Sequence, residues 1–87
     1  MKTMQEILNA FRMRFPTDVK GNLALCFPCD ALDENKYKII IEAAEKPYTI
    51  LEEIIANVCE DEIRFSFTYI VGKTNEEIEF INNFANL

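Results

Sequence analysis

Ile63-Arg-Phe-Ser-Phe-Thr-Tyr-Ile-Val71 is the stretch that decides the fold class. In an extended chain Ile63, Phe65, Phe67, Tyr69 and Val71 fall on one side, and Arg64, Ser66, Thr68 and Ile70 on the other. Period-two alternation in β-branched and aromatic residues predicts a strand with one face in a core. At strand rise the stretch reaches roughly 30 Å, enough for the central rib of a small domain. Its aromatic side is expected to lie under helices, and Arg64, Ser66 and Thr68 to face water or a partner.

Glu60-Asp61-Glu62 precedes this strand as an acidic turn, and Gly72-Lys73 closes it. Thr74-Asn-Glu-Glu77 then reads as a capping box, in which the threonine oxygen accepts from the third helical amide while the glutamate reaches back. The same signal stands at Thr3-Met-Gln-Glu6 and at Thr49-Ile-Leu-Glu52. Each box opens a segment with apolar residues at helical spacing, so three helices are expected. The first has a stripe of Met4, Ile7, Leu8, Phe11 and Phe15, with Arg12 and Arg14 suiting the dipole of its last turn, and Pro16 ends it. The second, from Thr49 to about Cys59, would bury Ile50, Leu51, Ile54, Ile55 and Val58. The third would bury Ile78, Ile81, Phe84 and Ala85, with Phe80 widening the stripe.

Between the first two helices, residues 17–22 form a polar loop. Leu23 to Phe27 is an apolar run of strand length, and Pro28 to Lys36 is rich in turn formers and charges. Tyr37 to Ala43 is expected as a strand because of its three consecutive isoleucines, with a helix over Ala31 to Glu45 as the open alternative. The resulting order is α-β-β-α-β-α. This is an α+β class with a small mixed or antiparallel sheet of about three strands, covered by helices on one side. The 87 residues are expected to make a single domain.

Composition narrows the chemistry. The chain has no histidine, which removes the usual general base and every Ser-His or Cys-His arrangement. Its two glycines, Gly21 and Gly72, cannot make a phosphate-cradling loop. No catalytic residue and no cofactor is expected. Residues 1–29 carry four basic and two acidic side chains, and residues 30–87 carry five basic and thirteen acidic ones. An acidic majority disfavours nucleic acid and anionic membrane and favours a protein partner with a basic surface. No apolar run approaches a membrane span and no secretory leader is seen, so a cytoplasmic setting is expected.

Cys26-Phe-Pro-Cys29 is the one motif with a chemical reading. Two thiols three positions apart can close a ring, and a helix N-terminus after the first would lower its pKa. Following Leu23-Ala-Leu25, the pair resembles the Cys-x-x-Cys site of the thioredoxin and glutaredoxin redox family, where proline often adjoins the second cysteine. The resemblance implies Cys26 as attacking thiol and Cys29 as resolving thiol. It covers only the surroundings of the pair; the cis-proline strand of that family has no counterpart, because Pro47 leads into a helix signal. The same pair with Cys59 and Asp30 makes a weaker zinc set, lacking a second knuckle, so no metal is expected. Further on, Arg64 to Tyr69 followed by Val71 to Phe80 is similar to the strand-to-last-helix step of small chaperone-like domains such as secretion-chaperone-type folds.

The remaining candidates are surface groups. Glu76, Glu77 and Glu79, if turned one way, make an acidic patch for a basic protein; as first-turn residues they also simply suit a helix dipole. Arg64, Ser66 and Thr68 belong to the open strand face. The functional expectation is a small acidic, non-catalytic protein-binding domain of the inhibitor, immunity, antitoxin or chaperone-like kind. The alternative is a thiol-redox or thiol-sensing protein using Cys26 and Cys29.

Overall fold

The computed structural model describes residues 2–17 and 21–85, the last of these by its backbone alone. Residues 18–20 of the loop expected over 17–22, and the side chain of Ala85 expected in the last stripe, lie outside the described residues. Helix α1 spans Met4–Arg14, strands β1 to β4 span Leu23–Asp30, Asp33–Glu42, Ile50–Cys59 and Glu62–Ile70, and helix α2 spans Asn75–Ala85. The four strands form one antiparallel meander in the order β1-β2-β3-β4. The α+β class and the antiparallel sheet stand as expected; the sheet has four strands rather than three, and the described helices number two.

The difference lies at Thr49-Ile-Leu-Glu52. The boxes at Thr3 and Thr74 form as read, Thr3 Oγ1 accepting from Glu6 N–H at 3.1 Å and Thr74 Oγ1 accepting from Glu77 N–H at 3.3 Å. The middle box opens no helix, because Ile50–Cys59 is strand β3. Ile50, Ile54, Ile55 and Val58 satisfy a helical stripe, but they are β-branched, and Ile54, Ala56 and Val58 also alternate with Ile55 and Asn57. Pairing on both sides decides between the two readings. Ile54 sits opposite Ile39 of β2 and Phe67 of β4, and Ala56 opposite Tyr37 and Phe65. Glu52 thereby takes an inner-face position of β3 between Ile41 and Ile70.

Strands β1 and β2 are longer than expected and absorb most of the stretch read as a turn. Asp30 and Asp33 carboxylates fold the short connection by accepting from the N–H groups of Leu32 and Asn35, each at 2.9 Å. Tyr37 to Glu42 is strand, which settles the helix alternative for that segment.

One sheet face is covered. Ile39, Ile41, Ile54, Ala56, Phe65 and Phe67 are almost wholly buried there, together with Ile7 and Phe11 of α1. Four phenylalanines knit helix to sheet: Phe11 meets Phe65 edge-on at 5.3 Å between ring centres, and Phe15 meets Phe67 edge-on at 5.2 Å. Ile78 and Ile81 bring α2 against the same core beside β4. Met4, expected in the α1 stripe, is exposed, as are Phe80 and Phe84 of α2.

Strand β4 departs from simple alternation at its end. The β3–β4 register shifts between Glu53 and Ile54, so Thr68 and Tyr69 both face outward and Ile70 turns into the core. This bulge reverses the expected positions of Tyr69, Val71 and Ile70. Tyr69 and Val71 are exposed; Ile70 is buried.

Candidate binding face of the sheet

The other sheet face has no described helix across it, since α1 and α2 both pack on the core side. Cross-strand register fixes what it presents. Leu25 lies beside Ile40, Ile40 beside Glu53, and Glu53 beside Tyr69. The next row runs Phe27, Lys38, Ile55, Ser66, and beyond it Lys36, Asn57 and Arg64 align. The outer face was expected to be polar. Beside its polar groups it carries apolar side chains, Leu23, Leu25 and Phe27 of β1 with Ile40 and Ile55, interrupted by Lys38 between Phe27 and Ile55 and by Glu53 between Ile40 and Tyr69.

At one end the face runs into an open depression lined by Tyr48, Thr49, Ile50, Glu53, Thr68 and Tyr69. Tyr48 is 95% exposed and holds φ at +65°, a left-handed backbone that non-glycine residues rarely adopt. Its N–H donates to Glu42 Oε1 at 2.6 Å, which ties the β2–β3 loop to the sheet. Thr68 Oγ1 donates to the Glu53 carbonyl at 3.1 Å and steadies the bulge that turns Tyr69 outward. Two tyrosines with fixed backbones at the end of this face are the side chains best suited to anchor a partner.

Of the residues singled out from sequence, Arg64, Ser66 and Thr68 stand on this face. Arg64 Nε donates to Glu62 Oε1 at 2.9 Å, an exposed pair that raises the guanidinium pKa still further and orients it. Glu76, Glu77 and Glu79 are exposed on the first turns of α2. Glu77 is engaged locally: Thr74 N–H and Oγ1 both donate to its carboxylate, which holds its pKa below the ordinary value, and Lys73 lies 3.7 Å away. The apolar side chains of this face and the two tyrosines escaped sequence reasoning. Leu23-Ala-Leu25-Cys26-Phe27 is apolar throughout, and its period-two signal lies only in side-chain size, small inward and large outward.

Both cysteines of Cys26-Phe-Pro-Cys29 lie within β1, and no helix begins between them. Cys26 points to the core side and is half-buried, while Cys29 is exposed where the β1–β2 register shifts. Burial, and secondarily the nearby Cys29, pushes the Cys26 thiol up to about 11. The helix N-terminus that the redox resemblance implies as an activator is therefore replaced by strand. Cys59 closes β3, two strands from β1. Among the described residues no three Cys, Asp or Glu side chains gather as a metal site, and no helix is long and apolar enough to cross a membrane.

Comparison with known protein families, with characterised proteins and with solved structures finds no match to this chain.

Proposed function

We propose that this chain is a small, non-catalytic protein-binding domain, and that the outer sheet face is where its partner sits. The observation that carries the reading is the set of apolar side chains on this face, exposed Leu25 and Phe27 beside half-buried Ile40 and Ile55, with exposed Tyr48 and Tyr69 at one end. Apolar and aromatic side chains gathered on one open face and interspersed with single charges make a surface that a protein partner can cover. The acidic groups at Glu60-Asp61-Glu62 and at Glu76, Glu77 and Glu79 would steer a basic partner toward the molecule without forming the buried contact themselves.

Titration calorimetry with a partner captured by the wild-type chain and then purified tests this division of roles. Tyr48→Ala and Tyr69→Ala, both at exposed sites, are expected to weaken binding about tenfold or more, as loss of an aromatic anchor does. Glu76→Lys with Glu79→Lys is expected to slow association and to flatten its salt dependence, with a smaller change in Kd. Unchanged affinity in both tyrosine variants would overturn the assignment of the face.

The thiol reading has less support, because the environment of Cys26 disfavours its thiolate. Alkylation of Cys26 by iodoacetamide, followed by peptide mass spectrometry, is expected to keep accelerating beyond about pH 9, where a free thiol of pKa about 8.5 is already levelling off. A plateau below neutral pH would restore the redox alternative.

A further inference from the structure

The two edges of the sheet are treated differently. On β4, the Asn82 side chain of α2 accepts from Phe67 N–H and donates to the Phe67 carbonyl, the latter at 2.7 Å. The helix thus occupies the place where another strand would pair. This contact also fixes the direction of every backbone group along the row. Directly opposed residues in an antiparallel pair either exchange both bonds or both turn away. Phe67 turns away from β3, so Ile54 opposite it points to β2 and bonds Ile39. Ile39 then turns its back on β1, which leaves Cys26 opposite it with N–H and C=O directed off the sheet. Ala24 and Pro28, two positions either way, share that direction, and Pro28 has no N–H to offer. Among the described residues no backbone hydrogen bond reaches the edge-directed groups of Ala24 or Cys26.

We propose that a second copy of this chain pairs along this edge, β1 antiparallel to β1 about a two-fold axis, joining the two sheets into one. The segment is complementary to itself in the register that pairs Ala24 with Cys26 inside β1; Ala24 opposite Ala24 would instead hand Cys26 to Asn22, outside the strand. With Leu25 opposite Leu25, Ala24 of each copy faces Cys26 of the other, and all their edge-directed donors and acceptors are used. Pro28 then falls opposite Asn22, at the end of the ladder, where its carbonyl still accepts. On the outer face Leu23 meets Phe27 of the other copy, and these side chains, 55% and 41% exposed in one copy, cover each other. Sliding the register to set Cys26 opposite Cys26 would place Ala24 opposite Pro28 and strand the Ala24 carbonyl. Charge permits this occupant as well. Residues Gly21 to Cys29 carry no charged side chain, so the chain's net −6 lies away from the contact. The covered β4 edge closes the assembly at two copies instead of letting it grow.

Sedimentation equilibrium of the full chain across a wide concentration range tests the proposal, with register read by cross-linking. The wild type is expected to dimerise. Ala24→Pro, which removes an edge donor while leaving the β2 ladder intact, is expected to raise the dimer Kd about tenfold or more. Leu25→Arg, which leaves the backbone untouched, is expected to do the same and carries the test if Ala24→Pro fails to fold by circular dichroism. With the native cysteines replaced, Leu25→Cys is expected to form a dimeric disulfide under mild oxidation, because opposed non-bonded pairs stand roughly 4.5 Å apart at Cα. Leu23→Cys is expected to form no disulfide between copies, being roughly 13 Å from its own copy in that register. A monomeric wild type at every concentration, or a dimer that survives both Ala24→Pro and Leu25→Arg, would overturn the proposal.

Discussion

Phe67→Ala is expected to lower the free energy of unfolding by about 3–5 kcal/mol, while Tyr69→Ala two positions along costs less than about 1 kcal/mol. Phe67 is 2% exposed and packs against both Phe11, at 6.2 Å between ring centres, and Phe15, at 5.2 Å. Truncation leaves a cavity between helix and sheet that neither α1 nor the strand can close, because α1 is held at its start by the Thr3–Glu6 box. Tyr69 would share that burial if β4 alternated to its end. The register shift turns it outward instead, and Ile70 takes the inner place. Urea unfolding followed by circular dichroism separates the two cases. Similar losses for both variants would mean that the bulge is absent.

Ile54→Ala is expected to cost about 2–5 kcal/mol and Ile55→Ala no more than about 1 kcal/mol. The two neighbours are equivalent in a helical stripe, where both would face the core. In a strand they point to opposite sides. Ile54 is fully buried between Ile39 and Phe67, whereas Ile55 lies on the open face between Lys38 and Ser66. Equal and large costs in the same denaturation experiment would favour a helix over Ile50–Cys59 and remove the sheet's continuity.

Much of the core was legible in the chain itself. Ile7, Leu8 and Phe11 recur at helical spacing and are buried, and Phe65 and Phe67 alternate as a half-buried strand must. Thr3 and Thr74 signal helix starts through local hydrogen bonds alone, so sequence suffices to find them. The box at Thr49 has the same letters, but β3 is decided by two neighbouring strands that lie far off in sequence. The bulge was hidden for a related reason: nothing in Phe-Thr-Tyr-Ile distinguishes one residue turned out from two. The candidate site suffered most. Arg64, Ser66 and Thr68 lie on the open face as the alternation of β4 predicts, but that alternation says nothing of the apolar side chains that β1 adds beside them. Leu23, Leu25 and Phe27 join it only once β1 is seen to be an edge strand with its small residues inward.

Everything proposed for the outer face rests on a four-stranded meander in which Ile50–Cys59 is the third strand. Nuclear Overhauser spectroscopy in solution tests that directly. The β3–β4 pairs that turn their backbone groups away from each other bring their Hα atoms closest. Strong Hα–Hα contacts are therefore expected between Ile54 and Phe67 and between Ala56 and Phe65. A run of sequential amide–amide contacts from Ile50 to Cys59, with no cross-strand Hα pairs, would contradict the sheet and the binding face built on it.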